Sequence, residues 1–134
     1  MRRLLLLLLA ATVVSACSAA SSQKSSRDNE LQTLTPAQVQ AKLQAHEPMF
    51  LFDDNSDERY AQGHVPTAKH LKVDDVTTQA LPADKAAMLV FYCSSDKCSA
   101  CHHAAEAAIA LGYSNVWIMP EGIKGWEANH FAQE

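Results

Sequence analysis

The sequence predicts an α/β fold, a small and mostly parallel sheet with helices on both faces. Two observations predict it. Short unbroken apolar runs recur at residues 49–52, 88–92 and 116–119, the pattern of strands buried on both faces rather than on one. The stretches between these runs read as helices, and no hairpin turn joins one run to the next. Successive strands are therefore linked by crossovers and run parallel.

Each element has its own local reason. Thr35-Pro36 starts a helix, with threonine as N-cap and proline at the first helical position. Val39 and Leu43 are four apart and mark its buried face through about His46. Pro48 stops it, and Met49-Phe50-Leu51-Phe52 follows as a strand. Ser56 caps a short helix holding Asp57, Glu58 and Tyr60, which Gly63 ends. Residues 69–73 read as a brief strand, and Asp74 or Asp75 as the cap of another short helix before Pro82. Met88-Leu89-Val90-Phe91-Tyr92 is the strongest strand signal. Residues 99–111 are alanine-rich and helical, with Gly112 at the position that follows a helix C-cap. Val116-Trp117-Ile118-Met119 is the last strand, and residues 122–129 form a short final helix. Trp117, Met119, Trp126 and Phe131 are expected in the core, and Glu106 and Glu127 on solvated helix faces.

Composition narrows the function. Hydrophobic residues make up 48% and charged residues 19% of the chain, which excludes an intrinsically disordered protein. The net charge is −4; without Arg2 and Arg3, nine basic residues face fifteen acidic ones, a balance of −6. A nucleic-acid binder needs the opposite sign to displace counterions from phosphates.

The N-terminus is an address. Met1-Arg2-Arg3 precedes an apolar run over residues 4–14, too short for a transmembrane helix and suited to a signal peptide. Val14-Ser15-Ala16-Cys17 resembles the lipobox of bacterial lipoproteins. That resemblance implies a signal peptide at residues 1–16 and lipidation of Cys17, with several acyl chains anchoring the mature protein to a membrane. Residues 17–30 are small and polar and read as a flexible tether. Ser18 stands where an inner-membrane retention signal would place aspartate, so the expected location is the bacterial cell envelope, on the outer membrane facing the periplasm. The folded domain occupies residues 31–134.

Chemistry gathers where strands of an open α/β sheet end and helices begin. Here that place reads Cys93-Ser94-Ser95-Asp96-Lys97-Cys98-Ser99-Ala100-Cys101-His102-His103. A cysteine at the carboxyl end of a strand, followed by a tight loop into a helix, is surrounded by peptide N–H groups that stabilise a thiolate and so a nucleophile. The same position also suits a small buried core residue.

Four segments around this loop resemble the rhodanese family of sulfurtransferases. They are Phe52-Asp53-Asp54-Asn55 with Tyr60-Ala61-Gln62-Gly63-His64-Val65-Pro66, then Val90-Phe91-Tyr92-Cys93, then the helix ending in Leu111-Gly112-Tyr113, and finally Gly122-Ile123-Lys124-Gly125-Trp126. The resemblance implies a rhodanese-like fold and the transfer of sulfane sulfur through a persulfide on Cys93. Ser94, Ser95, Asp96, Lys97 and Cys98 would form the loop whose amides cradle the anionic sulfur. The reactants it implies are a small sulfur-containing donor such as thiosulfate and a thiol or cyanide-like acceptor, with no cofactor and no metal, and the protein is expected to be a monomer. The chain departs from the family pattern in three places. Cys98 stands where an arginine often closes the loop, Asn55 replaces the arginine of the first segment, and Thr67 replaces a glycine. His64 and Asp53 are expected to orient loops rather than to transfer protons.

The extra cysteines keep other readings open. Cys98 or Cys101 is a candidate resolving thiol for Cys93, which would make the domain a thiol-disulfide redox or sensing module. Cys98-Ser99-Ala100-Cys101-His102 also matches the covalent haem signature. Zinc could use Cys93, Cys98 and Cys101 with His102 or His103 by ligand type.

Overall fold

The computed structural model describes residues 31–134. The expected signal peptide at 1–16, the tether at 17–30 and Cys17 lie outside the described residues. No helix among the described residues is long and apolar enough to cross a membrane.

Five strands form one sheet: β1 (Gln32–Thr33), β2 (Phe50–Asp53), β3 (Lys69–His70), β4 (Leu89–Tyr92) and β5 (Val116–Met119). Their order across the sheet is β1-β5-β4-β2-β3, and every neighbouring pair runs parallel. The central strand, β4, has all four residues fully buried, as the unbroken apolar run at 88–92 predicts.

Strand alternation splits the core in two. Phe52, Leu89, Phe91, Val116 and Ile118 face one side, where they meet Cys101, Ala104, Ala105 and Ala108 of α3 (Ala100–Ala110). Leu51, Val90, Tyr92 and Met119 face the other. There they meet Val39 of α1 (Pro36–Gln44) and Ile123 and Trp126 of α4 (Gly122–Ala128). The small alanine face of α3 brings that helix close to the sheet, and Phe52 and Phe91 stack beneath it with ring centroids 5.1 Å apart. Trp117, Met119, Trp126 and Phe131 all belong to the second cluster or pack on it. Glu106 and Glu127 are exposed, as expected, and Glu127 also pairs with Arg59 of α2 (Asp57–Ala61).

The helix ends follow their sequence signals. Thr35 and Gln38 form a reciprocal capping box at the start of α1, a pattern that satisfies two backbone donors. α1 stops at Gln44 rather than near His46, because His46 adopts a left-handed φ of 53°. Its N–H and that of Glu47 then bond back to Leu43 and Lys42, which closes the helix end. Gly112 ends α3 in the same way, with φ 93°.

Two expectations are corrected, and one strand is unexpected. β1 has no apolar run to announce it; it is a short exposed edge strand held by backbone pairing to β5. β3 ends at His70 rather than continuing to Val73. The helix expected after Asp74 or Asp75 is absent. A 3₁₀ turn occupies Val73–Asp75, and a single turn at Thr77 follows, where Ala80 and Leu81 donate to the Thr77 carbonyl. The β-branched Val76-Thr77-Thr78 run and Pro82, which disfavours helical backbone at Leu81, leave a helix no room to propagate.

Candidate active site

Cys93 follows the last residue of β4, and the sheet carries it to the carboxyl edge between the two cores. Its backbone is anchored from the α4 side: the Cys93 carbonyl accepts from the Ile123 N–H at 2.9 Å and the Ser94 carbonyl from Lys124 at 3.0 Å. This contact explains Gly122, which has φ 61° and whose added Cβ would lie 2.4 Å from the Cys93 oxygen. The chain beyond turns tightly, with the Cys98 N–H bonding to the Ser95 carbonyl at 2.9 Å. Asp96 and Lys97 sit exposed at the tip, Ser94, Ser95 and Cys98 are half-buried, and α3 begins at Ala100.

The side chain of Cys93 lies on the α3 side and has no exposed surface. Its sulfur is 3.4 Å from the Cys98 carbonyl oxygen, 4.0 Å from that of Ser95 and 3.6 Å from Cys101 Sγ. The expected cradle of loop amides is thus not what surrounds the sulfur. Two carbonyl oxygens lie close to it instead, and as acceptors of the thiol hydrogen they disfavour its loss. The Cys101 amide, on the first turn of α3, and the Cys98 thiol act in the opposite direction, towards the ionised form. Among the described residues, the N–H groups of Ser94, Ser95, Asp96 and Lys97 have no acceptor.

Cys93 and Cys101 behave as a pair. The hydrogen that Cys93 shares with Cys101, and then burial, push the Cys93 thiol well above the ordinary thiol range. The same hydrogen bond pulls Cys101 down. The two thiols thus share one hydrogen across a 3.6 Å contact. Both side chains are fully buried, so the pair sits in a medium where such sharing is strong.

Asp54 is the residue that sequence reasoning passed over. It is 7% exposed, and neither carboxylate oxygen has a hydrogen-bond partner. Burial first, then the charges of Cys93, Asp53 and Cys98, raise it from 3.8 to about 9. The paired aspartates after an apolar strand were the available signal: the first turns back into its loop and the second remains beside the thiols. Asp53 Oδ1 accepts from the Asn55 backbone N–H at 2.8 Å and from its side-chain amide at 2.7 Å. Asn55 thus braces the β2–α2 loop instead of extending a charge. His64 stacks on Tyr60 with ring centroids 3.9 Å apart, and its backbone pairs with Glu134 in both directions.

The structure separates the residues of the haem signature. Cys101 is buried against Cys93, whereas Cys98 and His102 are half-exposed and His103 is exposed, so the two thiols do not share an open edge. Among the described residues, no three His, Cys, Asp or Glu side chains converge as a metal-binding set.

The structure is a parallel α/β sheet carrying a cysteine at the end of its central strand, with a tight loop leading into a helix. Comparison with known proteins identifies its class. Residues 35–129 match the rhodanese-like domain family, and the chain belongs to that family. It is 32% identical over 66 residues to a Bacillus subtilis protein named "Putative sulfurtransferase YtwF", a match that covers 49% of this chain and 64% of that protein, just under two thirds of the relative's length. The BH2092 protein of Bacillus halodurans has a similar fold, with a TM-score of 0.71 at 21% identity over 77% of this chain and 76% of its own. A rhodanese-like domain protein from Staphylococcus aureus aligns with a TM-score of 0.61 at 22% identity, over 72% of this chain and 91% of its own.

Proposed function

We propose that the domain transfers sulfane sulfur through a persulfide on Cys93. The observation that carries this reading is the placement of Cys93 in a rhodanese-like domain: at the end of the central strand, its backbone anchored by α4 and its sulfur at the first turn of α3. The loop from Ser94 to Cys98 covers the sulfur and must move to admit a donor. When the thiol ionises, the carbonyl oxygens of Ser95 and Cys98 repel it. The unpaired N–H groups of Ser94, Ser95, Asp96 and Lys97 are then the donors available to the anion, with the Lys97 ammonium adding charge at the entrance.

With thiosulfate as donor, the Cys93 thiolate attacks the outer sulfur. A Cys93–sulfur bond forms, the sulfur–sulfur bond of thiosulfate breaks, and sulfite leaves with the electron pair. A cyanide or thiol acceptor then takes the outer sulfur and returns Cys93 to the thiolate. Lipidation at Cys17 would hold this chemistry on the periplasmic side of the bacterial envelope, reached by the tether at 17–30.

The test uses the full chain, reduced and then exposed to thiosulfate. Intact mass should rise by about 32 Da, one sulfur atom, and cyanide should then release thiocyanate. Cys93→Ser should show neither. Thiocyanate release that survives in Cys93→Ser would overturn the assignment.

A further inference from the structure

We infer that Cys101 is a second reacting thiol, which attacks the Cys93 persulfide at its inner sulfur, expels sulfide and leaves a Cys93–Cys101 disulfide. The inference rests on the proposed Cys93 persulfide and gives its fate when no external acceptor arrives.

Three observations carry it. Cys101 Sγ is already in van der Waals contact with Cys93 Sγ, at 3.6 Å, so the two meet without unfolding the helix. Cys101 belongs to the buried face of α3 with Ala104, Ala105 and Ala108, which puts it on the core side of the Cys93 sulfur. A donor comes from solvent, through the loop whose tip is Asp96 and Lys97, and leaves its sulfur on the opposite side. Thiol–disulfide exchange runs in line, and on this inference the leaving sulfur lies on the side of Cys93 Sγ away from Cys101. The site is also closed: both thiols have no exposed surface, so the neighbour held in place competes well with thiols in solution. Cys98 contributes its carbonyl oxygen to Cys93 at 3.4 Å, and its half-buried position makes it the rival for the same role.

The step balances without an added oxidant. The Cys93 persulfide carries the negative charge and Cys101 its proton. A bond forms between Cys101 Sγ and Cys93 Sγ, and the bond from Cys93 Sγ to the outer sulfur breaks. The outer sulfur leaves as hydrosulfide with the bonding pair and the Cys101 proton. That sulfur is reduced by two electrons, and the two cysteines are oxidised to the disulfide. A dithiol reductant must then reopen the pair, itself becoming a disulfide, so the next reaction in the sequence is a dithiol exchange.

Three forms of the full chain are compared after reduction and loading with thiosulfate: wild type, Cys98→Ser and Cys101→Ser, with Cys101→Ala as the alternative should serine destabilise the core. Wild type should release a single equivalent of sulfide, and continuous sulfide only when dithiothreitol is supplied. Its mass should end about 2 Da below the reduced protein. Trypsin cuts after Lys97 and separates Cys93 from Cys98 and Cys101, so the 86–97 peptide linked to the 98–124 peptide marks a bond to Cys93. The Cys98→Ser form should give the same linked pair. Cys101→Ser or Cys101→Ala should retain the persulfide, with its gain of about 32 Da, and release no sulfide. Sulfide release that persists in the Cys101 variants but stops in Cys98→Ser would assign the role to Cys98 and overturn the inference. A wild type that holds its persulfide and forms no linked pair would overturn it too, while leaving Cys93 transfer intact. If no form gains sulfur, the persulfide reading falls and takes the inference with it.

Discussion

Replacing Asp54 by asparagine should stabilise the protein more at pH 7 than at pH 5. Asp54 is buried with both carboxylate oxygens unpartnered, and its carboxyl is raised from 3.8 to about 9. Between those values the folded chain keeps the proton and the unfolded chain has lost it. Folding then requires proton uptake, so stability falls as pH rises, by up to about 1.4 kcal/mol per pH unit for one group. From pH 5 to pH 7 the loss reaches about 2.7 kcal/mol. Asparagine matches the shape of the protonated acid and cannot ionise, so the variant escapes this loss while every other titrating group is left in place. Urea denaturation of both proteins at pH 5, 6 and 7 measures it, with the difference in unfolding free energy growing by about 2.7 kcal/mol across the range. A difference that does not change with pH would mean that native Asp54 is ionised throughout, and the reasoning from its burial would be wrong.

Two further substitutions test the backbone. Thr67 holds a left-handed φ of 70°, which is strained for a β-branched residue, so Thr67→Gly should raise stability by about 1 kcal/mol; a lower melting temperature would contradict this. Gly122→Ala places a Cβ 2.4 Å from the Cys93 carbonyl oxygen at a φ of 61°. It should cost about 2 kcal/mol or more and should slow persulfide formation on Cys93 by displacing the loop; wild-type stability and loading would show that the α4 contact does not fix the site.

The fold was legible because its signals were local and agreed with one another. The runs at 49–52, 88–92 and 116–119 became β2, β4 and β5, and the Thr35-Pro36 and Gly112 signals mark the ends of helices that exist. β1 escaped because two edge residues held by backbone pairing leave no side-chain pattern. The failed helix after Asp75 shows a cap signal without the propagating residues a helix needs. At the site, the sequence located the loop but not the contacts within it. Cys98 is nearer to Cys93 in the chain, yet one turn of helix directs Cys101 inward to the sulfur. The charge state of Asp54 was likewise out of reach, because burial and the loss of partners are properties of packing rather than of residue type. Thr67 was visible as a departure from the family's glycine, and the structure supplies its meaning in the positive φ.

Cys93 is held by two different parts of the molecule: α4 grips its carbonyl, and the start of α3 touches its sulfur. Position and reactivity thus have separate controls on opposite sides of the sheet. An engineer can redesign the surroundings of the thiol through residues 98–102 while the grip that fixes the peptide stays in place. Swapping that short segment between relatives is a practical route to exchanging their sulfur chemistry on one unchanged scaffold.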